Sequence, residues 1–125
     1  MKHDYFSLKG KKAVITGASR GIGAAIAEAY AIYGAEVALV SRKLEGLQDV
    51  AAKITKSGGK AIPFQANIKE VSELPKLVEN VIAEFSQIDI LVNNAGGNPA
   101  IGPALDTGEQ AWDKLFDLNL KGTFF

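Results

Sequence analysis

The sequence predicts an α/β domain built on a doubly wound parallel sheet, and three observations carry that prediction. Short apolar, β-branched runs alternate with helical stripes, the links between them are short, and a glycine cluster at residues 16–23 falls where the first run passes into the first stripe. Parallel pairing with right-handed crossovers follows from that alternation. The chain has no internal repeat and no low-complexity tract, so it reads as one compact unit.

In chain order, Ala13-Val14-Ile15 is the first strand. Ile22, Ile26, Ala29, Tyr30 and Tyr33 recur at helical spacing and mark one apolar face, stopped by Gly34. Val37-Ala38-Leu39-Val40 is the second strand, and Leu44, Leu47, Ala51 and Ile54 form the second stripe, closed by Gly58-Gly59. The third strand is Lys60–Gln65; Pro63 has no amide to give a ladder, which puts this strand at an edge. Leu74, Leu77, Val78, Val81, Ile82 and Phe85 make the longest stripe, with Pro75 in its first turn. Residues 88–92 are almost continuously apolar and read as a central fourth strand covered on both faces. Residues 93–108, rich in Asn, Gly and Pro, read as a loop at the mouth of a site. A last helix begins near Glu109 and runs through Trp112, Leu115, Phe116, Leu120 and Phe124 without a stop signal.

Composition narrows the function. The 125 residues are 47% hydrophobic, enough for a core without staples, and contain no cysteine, which excludes disulfides and thiolate-held metals; no metal site is expected. Fourteen basic residues balance fourteen acidic ones along the chain, giving no polyanion-binding surface and no reason to expect nucleic acid. No apolar run approaches the roughly eighteen residues of a membrane span, and the first five residues lack the apolar core of an export signal. No membrane partner and a cytoplasmic location are expected.

The glycine turn, Thr16-Gly17-Ala18-Ser19-Arg20-Gly21-Ile22-Gly23, has the spacing G-x-x-x-G-x-G. A phosphate there meets unpaired helix amides and a favourable dipole worth roughly 0.3–1 kcal/mol. Gly17 lets the chain turn sharply, Gly21 permits close backbone approach to a pyrophosphate, and Gly23 lets helix and strand pack closely. On these residues alone, glycines serving geometry without a ligand is the alternative.

Together with Asn93-Asn94-Ala95-Gly96 after the fourth strand and Asp117-Leu118-Asn119-Leu120-Lys121-Gly122 in the last helix, this turn makes the chain resemble the first half of a short-chain dehydrogenase/reductase. Three motifs in order on suitable elements are far more specific than any one alone. The resemblance implies a Rossmann-type sheet, here incomplete, of four strands in the order 3-2-1-4 with flanking helices. It also implies an oxidoreductase that moves hydride between a nicotinamide coenzyme and a small carbonyl or alcohol substrate. Gly17, Ser19, Arg20, Gly21, Ile22 and Gly23 then form the phosphate turn. Asn67 and Ile68 stand where the family grips adenine, usually with an aspartate first; asparagine keeps an acceptor but loses the charge. Asn93, Ala95 and Gly96 would line the coenzyme ribose, a role compatible with simply turning the chain after a strand.

In such sites the residue about twenty positions after the turn selects the coenzyme: a carboxylate holds the ribose hydroxyls, whereas arginine suits a 2′-phosphate. Ser41 occupies the carboxylate position, and Arg42, with Arg20 reaching back from the turn, supplies planar charged donors. NADP(H) is therefore expected over NAD(H). The competing reading is that these two arginines are solvated surface charges.

Of the family's catalytic set, a serine, a tyrosine with a lysine four residues on, and an asparagine supporting a proton relay, only the asparagine has a match, Asn119. The alternative for Asn119 is a tolerated polar helix position; as an active residue it is expected to open the helix ladder to a water. Tyr5 and Lys9 have the right spacing but precede the first strand and are rejected. Tyr30 and Tyr33 lie on the expected buried stripe, and His3 is expected to be a disordered terminal residue. The serine and the Tyr-x-x-x-Lys pair are expected outside this chain, which reads as truncated within its last helix, leaving the fourth strand as an apolar edge and making a homo-oligomer the expected state. Only residues 97–107 would reach substrate. Two other readings remain open: a non-catalytic nucleotide-binding or oligomerisation module derived from the family, and an α/β domain that binds no nucleotide.

Overall fold

A computed structural model describes residues 4–98 and 101–125; the expectation for His3 and that for positions 99–100 of the substrate-side loop lie outside them. Four strands, β1 (Lys12–Thr16), β2 (Glu36–Ser41), β3 (Lys60–Gln65) and β4 (Ile90–Val92), pair in parallel in the order β3-β2-β1-β4. Helices α1 (Gly21–Ile32), α2 (Leu44–Lys56) and α3 (Leu74–Phe85) connect them. Residues beyond β4 form a loop, helix α4 (Glu109–Phe116), a π-helical segment (Asp117–Lys121) and a final helical turn (Gly122–Phe124). No helix among the described residues is long and apolar enough to cross a membrane.

Alternation along β1 and β2 divides the core. Ala13, Ile15, Val37 and Leu39 face α1 and α2, burying Ala24, Ala27, Leu47, Val50 and Ile54. Val14, Ala38 and Val40 face the other way and bury Leu74, Val81 and Phe85 of α3. Both inner strands are thus covered on both sides, the burial that their unbroken apolar runs require.

Two expectations need correction. The apolar stripe of α1 is only partly its buried face: Ile26 and Tyr30 pack against the core, but Ile22 is 73% exposed and Tyr33 52%, Ala29 is also exposed, and the fully buried positions are Gly23, Ala24 and Ala27. Small residues take the closest part of that face because they let the helix axis approach the strands, and Ile26 and Tyr30 flank them. The fourth strand is shorter and less central than its composition suggests. Asp89 exchanges backbone contact with Lys12 (its N–H donates to the Lys12 carbonyl, 2.8 Å) while its carboxylate accepts the Lys12 N–H at 2.7 Å, and the ladder starts only at Ile90. β4 pairs with β1 alone and stands at the edge, as the order 3-2-1-4 implied, with Leu91 57% exposed.

At the opposite end of the sheet from the strand C-termini, Lys12, Glu36 and Lys60 sit side by side on three neighbouring strands. Glu36 lies between the two amines, 2.6 Å from Lys12 Nζ and 2.9 Å from Lys60 Nζ; the second contact is chiefly ionic, being poorly aligned for a hydrogen bond. Both amines also lie over the Phe85 ring, at 6.0 and 5.3 Å. The Lys12 amine, then the Lys60 amine, holds the Glu36 carboxyl below its ordinary pKa.

Candidate functional site

The strand order reverses between β1 and β4, and the polar residues just past these strands tie the two together. Thr16 Oγ donates to the Val92 carbonyl (3.3 Å) and accepts the amides of Asn94 (3.0 Å) and Ala95 (2.9 Å). The Asn94 side-chain amide donates to the carbonyls of Thr16 (3.0 Å) and Gly17 (3.2 Å). The turn after β1 therefore cannot move independently of the segment after β4.

The turn has the glycine geometry its sequence calls for. Gly17 and Gly21 have φ of 65° and 59°, left-handed values that side-chain-bearing residues rarely adopt. A Cβ on Gly23 would collide with the Gly17 carbonyl, so its missing side chain is what lets α1 start this close to β1. No side chain caps α1 and no acid lies in its first turn, leaving its leading amides available to an anion.

A cavity of about 590 Å³ opens over this turn, across the C-terminal ends of the strands. Gly17, Ser19, Arg20, Gly21, Ile22, Arg42, Asn67, Ile68, Ala95 and Gly96, ten of the residues singled out from sequence, line it. Arg20, Arg42 and Lys43 are the cations of its rim, and among the described residues none of them pairs with a carboxylate, although Glu45 and Asp49 line the same cavity. Asn67 is locally engaged: its side-chain oxygen accepts the Lys69 amide at 3.4 Å and its own amide donates to Glu73 at 3.2 Å.

Three singled-out residues do not line the cavity. Gly23 works from behind, by packing. Asn93 is exposed and outside the lining, whereas its neighbour Asn94 lines the cavity. Asn119 instead clasps the loop: its oxygen accepts the Gly97 amide (3.0 Å), and its amide donates to the carbonyls of Gly97 (2.8 Å) and Leu115 (2.9 Å). By bonding the carbonyl four residues back, the side chain takes the partner a backbone amide would have used, and the helix widens into the π segment around it. The sequence predicts a ladder opened to a water; in the structure the Asn119 side chain itself takes the Leu115 carbonyl and also holds Gly97 of the loop.

Sequence reasoning missed Thr16 and Asn94 as the knot of the site, Lys43 as a third rim cation, and Gly122. A Cβ on Gly122 would strike the Ile68 carbonyl, so this glycine lets the last helical turn lie against the segment after β3. A polar pair at the two strand ends was the available signal for the knot.

Residues 11–125 match the family model described as short chain dehydrogenase. A D-threitol dehydrogenase of Mycolicibacterium smegmatis is 42% identical over 119 residues, 95% of this chain and 45% of that protein. A short-chain type dehydrogenase/reductase from Mycobacterium marinum superposes with a TM-score of 0.92 at 39% identity, covering 97% of this chain and 49% of that one. A metagenomic short-chain oxidoreductase solved in complex with NADP gives 0.89 at 38% identity, covering 94% and 53%. The chain spans about half the length of the curated relatives it matches.

Proposed function

The chain belongs to the short-chain dehydrogenase/reductase family, which binds NAD(P), and from that premise we propose that it forms the coenzyme-holding part of an oxidoreductase selective for NADP(H). The observation that carries this reading is the meeting, in one cavity, of an uncapped helix start behind a glycine turn with three cations that have no carboxylate partner among the described residues. A dinucleotide has matching chemistry: a diphosphate for the amides of residues 19–23 and a 2′-phosphate for Arg20, Arg42 and Lys43. Asn67 and Ile68 hold the adenine side, and Ala95 and Gly96 the ribose. Asn93, outside the lining, supports that bend through the chain and not by contact.

The bound coenzyme supplies a hydride donor or acceptor for a small carbonyl or alcohol substrate. This chain's own residues bind and orient it. Asn119 holds the loop at Gly97 that borders the reacting end. The serine and the Tyr-x-x-x-Lys pair of the family belong to the complete polypeptide in this reading, and turnover with them. The family is typically oligomeric; the exposed Trp112, Phe116, Leu120 and Phe124 offer an apolar face through which copies associate. A cytoplasmic location belongs to the same proposal.

Glu45 and Asp49 favour a second reading, in which a carboxylate of the cavity holds the ribose hydroxyls of NAD(H). Fluorescence titration with NADPH and NADH separates the two. Saturable binding with NADPH tighter supports the first; equal or reversed affinity supports the second; and no binding of either, with no thermal stabilisation, returns the chain to an α/β domain without a nucleotide.

A further inference from the structure

Three consecutive carbonyl oxygens at the cationic rim are each taken by a donor from the protein. The Ser41 carbonyl accepts the Ala66 amide at 3.0 Å, the Arg42 carbonyl accepts the Gln65 side-chain amide at 2.8 Å, and the Lys43 carbonyl accepts Ser41 Oγ at 3.0 Å. Only the NH2 end of Gln65 can face a carbonyl, so the orientation of this side chain is fixed by chemistry. Gln65 ends β3 in register with Ser41, which brings it beside the peptide that follows β2.

We propose that Gln65 is a positioning residue for coenzyme discrimination, holding the Arg42 peptide with its carbonyl turned to β3 so that a 2′-phosphate meets the cations of residues 42–43 and not a carbonyl oxygen. The proposal rests on the NADP(H) reading above. An anion next to a free carbonyl lone pair is repelled, and a peptide free to rotate offers that lone pair part of the time. Tying the carbonyl removes this state. It also fixes the root of the Arg42 side chain, reducing the rotamer freedom lost when the guanidinium engages phosphate. Gln65 touches neither the turn after β1 nor the knot of Thr16 and Asn94, so it acts on one end of the cavity alone.

The test is a titration of the full chain with NADPH and with NADH, using wild type, Gln65→Met, Arg42→Ala and the double variant. Methionine keeps the length of the side chain and removes the donor. Gln65→Met should weaken NADPH about three- to tenfold and leave NADH within about twofold, the range of one neutral hydrogen bond. Added to Arg42→Ala, it should cost less than it does alone, because the share that acts through the Arg42 side chain is already gone while the freed carbonyl still faces the phosphate. Equal loss for both coenzymes, or an unchanged NADPH affinity, overturns the positioning role; if Arg42→Ala still weakens NADPH alone, the phosphate reading survives that result. A wild type that holds both coenzymes equally and is indifferent to Arg42→Ala overturns both.

Discussion

At the glycine-turn end of the cavity, Thr16 and Asn94 spend their side-chain hydrogen bonds on backbone, and the room for a ligand comes from side chains that are missing. At the other end, Arg20, Arg42 and Lys43 are long, exposed and without ion partners among the described residues, and only the backbone beneath 41–43 is tied down. The first end is a shape that either exists or does not. The second is a charge distribution that can be graded. The difference separates two properties usually discussed together: whether a dinucleotide is bound, and which one.

Predictions that attack this separation differ in size. Gly23→Ala should have the largest effect, because its new Cβ meets the Gly17 carbonyl and the Asn94 amide. Overpacking costs about 1–3 kcal/mol and a clash with backbone this close puts the change at the upper end or above, so thermal melts should show a large loss of stability and titrations the loss of both coenzymes together. Retained binding of either would show that the turn is more plastic than its geometry implies. Asn94→Ala leaves two carbonyls without their donor and should cost about 1–3 kcal/mol in denaturant unfolding. Asn94→Asp, which sets a carboxylate against those carbonyls, should be worse than alanine.

Arg42→Ala belongs to the other end and should leave the melting curve nearly unchanged. It should weaken NADPH by about one to two decades, the range of a charge-assisted hydrogen bond, while NADH stays put. A matching loss of NADH would erase the distinction between the ends. The smallest effect lies away from the cavity. Lys12 and Lys60 hold Glu36 below its ordinary pKa, and the Lys12 amide, then Gln87, does the same for Asp89. In both cases the unfolded chain binds protons more readily, so this stabilisation is complete above the ordinary carboxylate range, roughly pH 5, and is lost as pH falls through 4 and below. Glu36→Gln should flatten the acid limb of the stability profile, with an effect near neutral pH within about 1 kcal/mol.

The sheet was legible because its inner strands are apolar on both faces and its turns carry glycine; β3 even begins and ends where Lys60 and Gln65 suggest, with Pro63 at the edge. Periodicity was half right for α1: Ile26 and Tyr30 pack on the core, but the closest contact is made by Gly23, Ala24 and Ala27, chosen by small size, a quantity that apolar spacing does not register. For β4 the apolar run identified the strand but overstated its length and cover, while the order 3-2-1-4 implied by the resemblance already put it at the edge. At the site, the cavity-lining glycines and arginines were readable one by one. Asn94, Gln65 and the clasp of Asn119 on Gly97 were not, since each matters through a backbone atom brought near by folding, 77, 23 and 22 residues away in sequence.

The row of Lys12, Glu36 and Lys60 has a consequence for how the molecule assembles. Strands that are oily on both sides can slide past one another with little penalty, because any apolar side chain serves nearly as well as the next. A single acid flanked by two amines at one end breaks that degeneracy: a shift by two rungs would strand the carboxylate among hydrocarbon and leave each amine without its counter-charge. The far end of the sheet thereby works as an alignment mark, and the accuracy with which the strand tips later converge on a ligand is set some five residues away, by charges that never meet it.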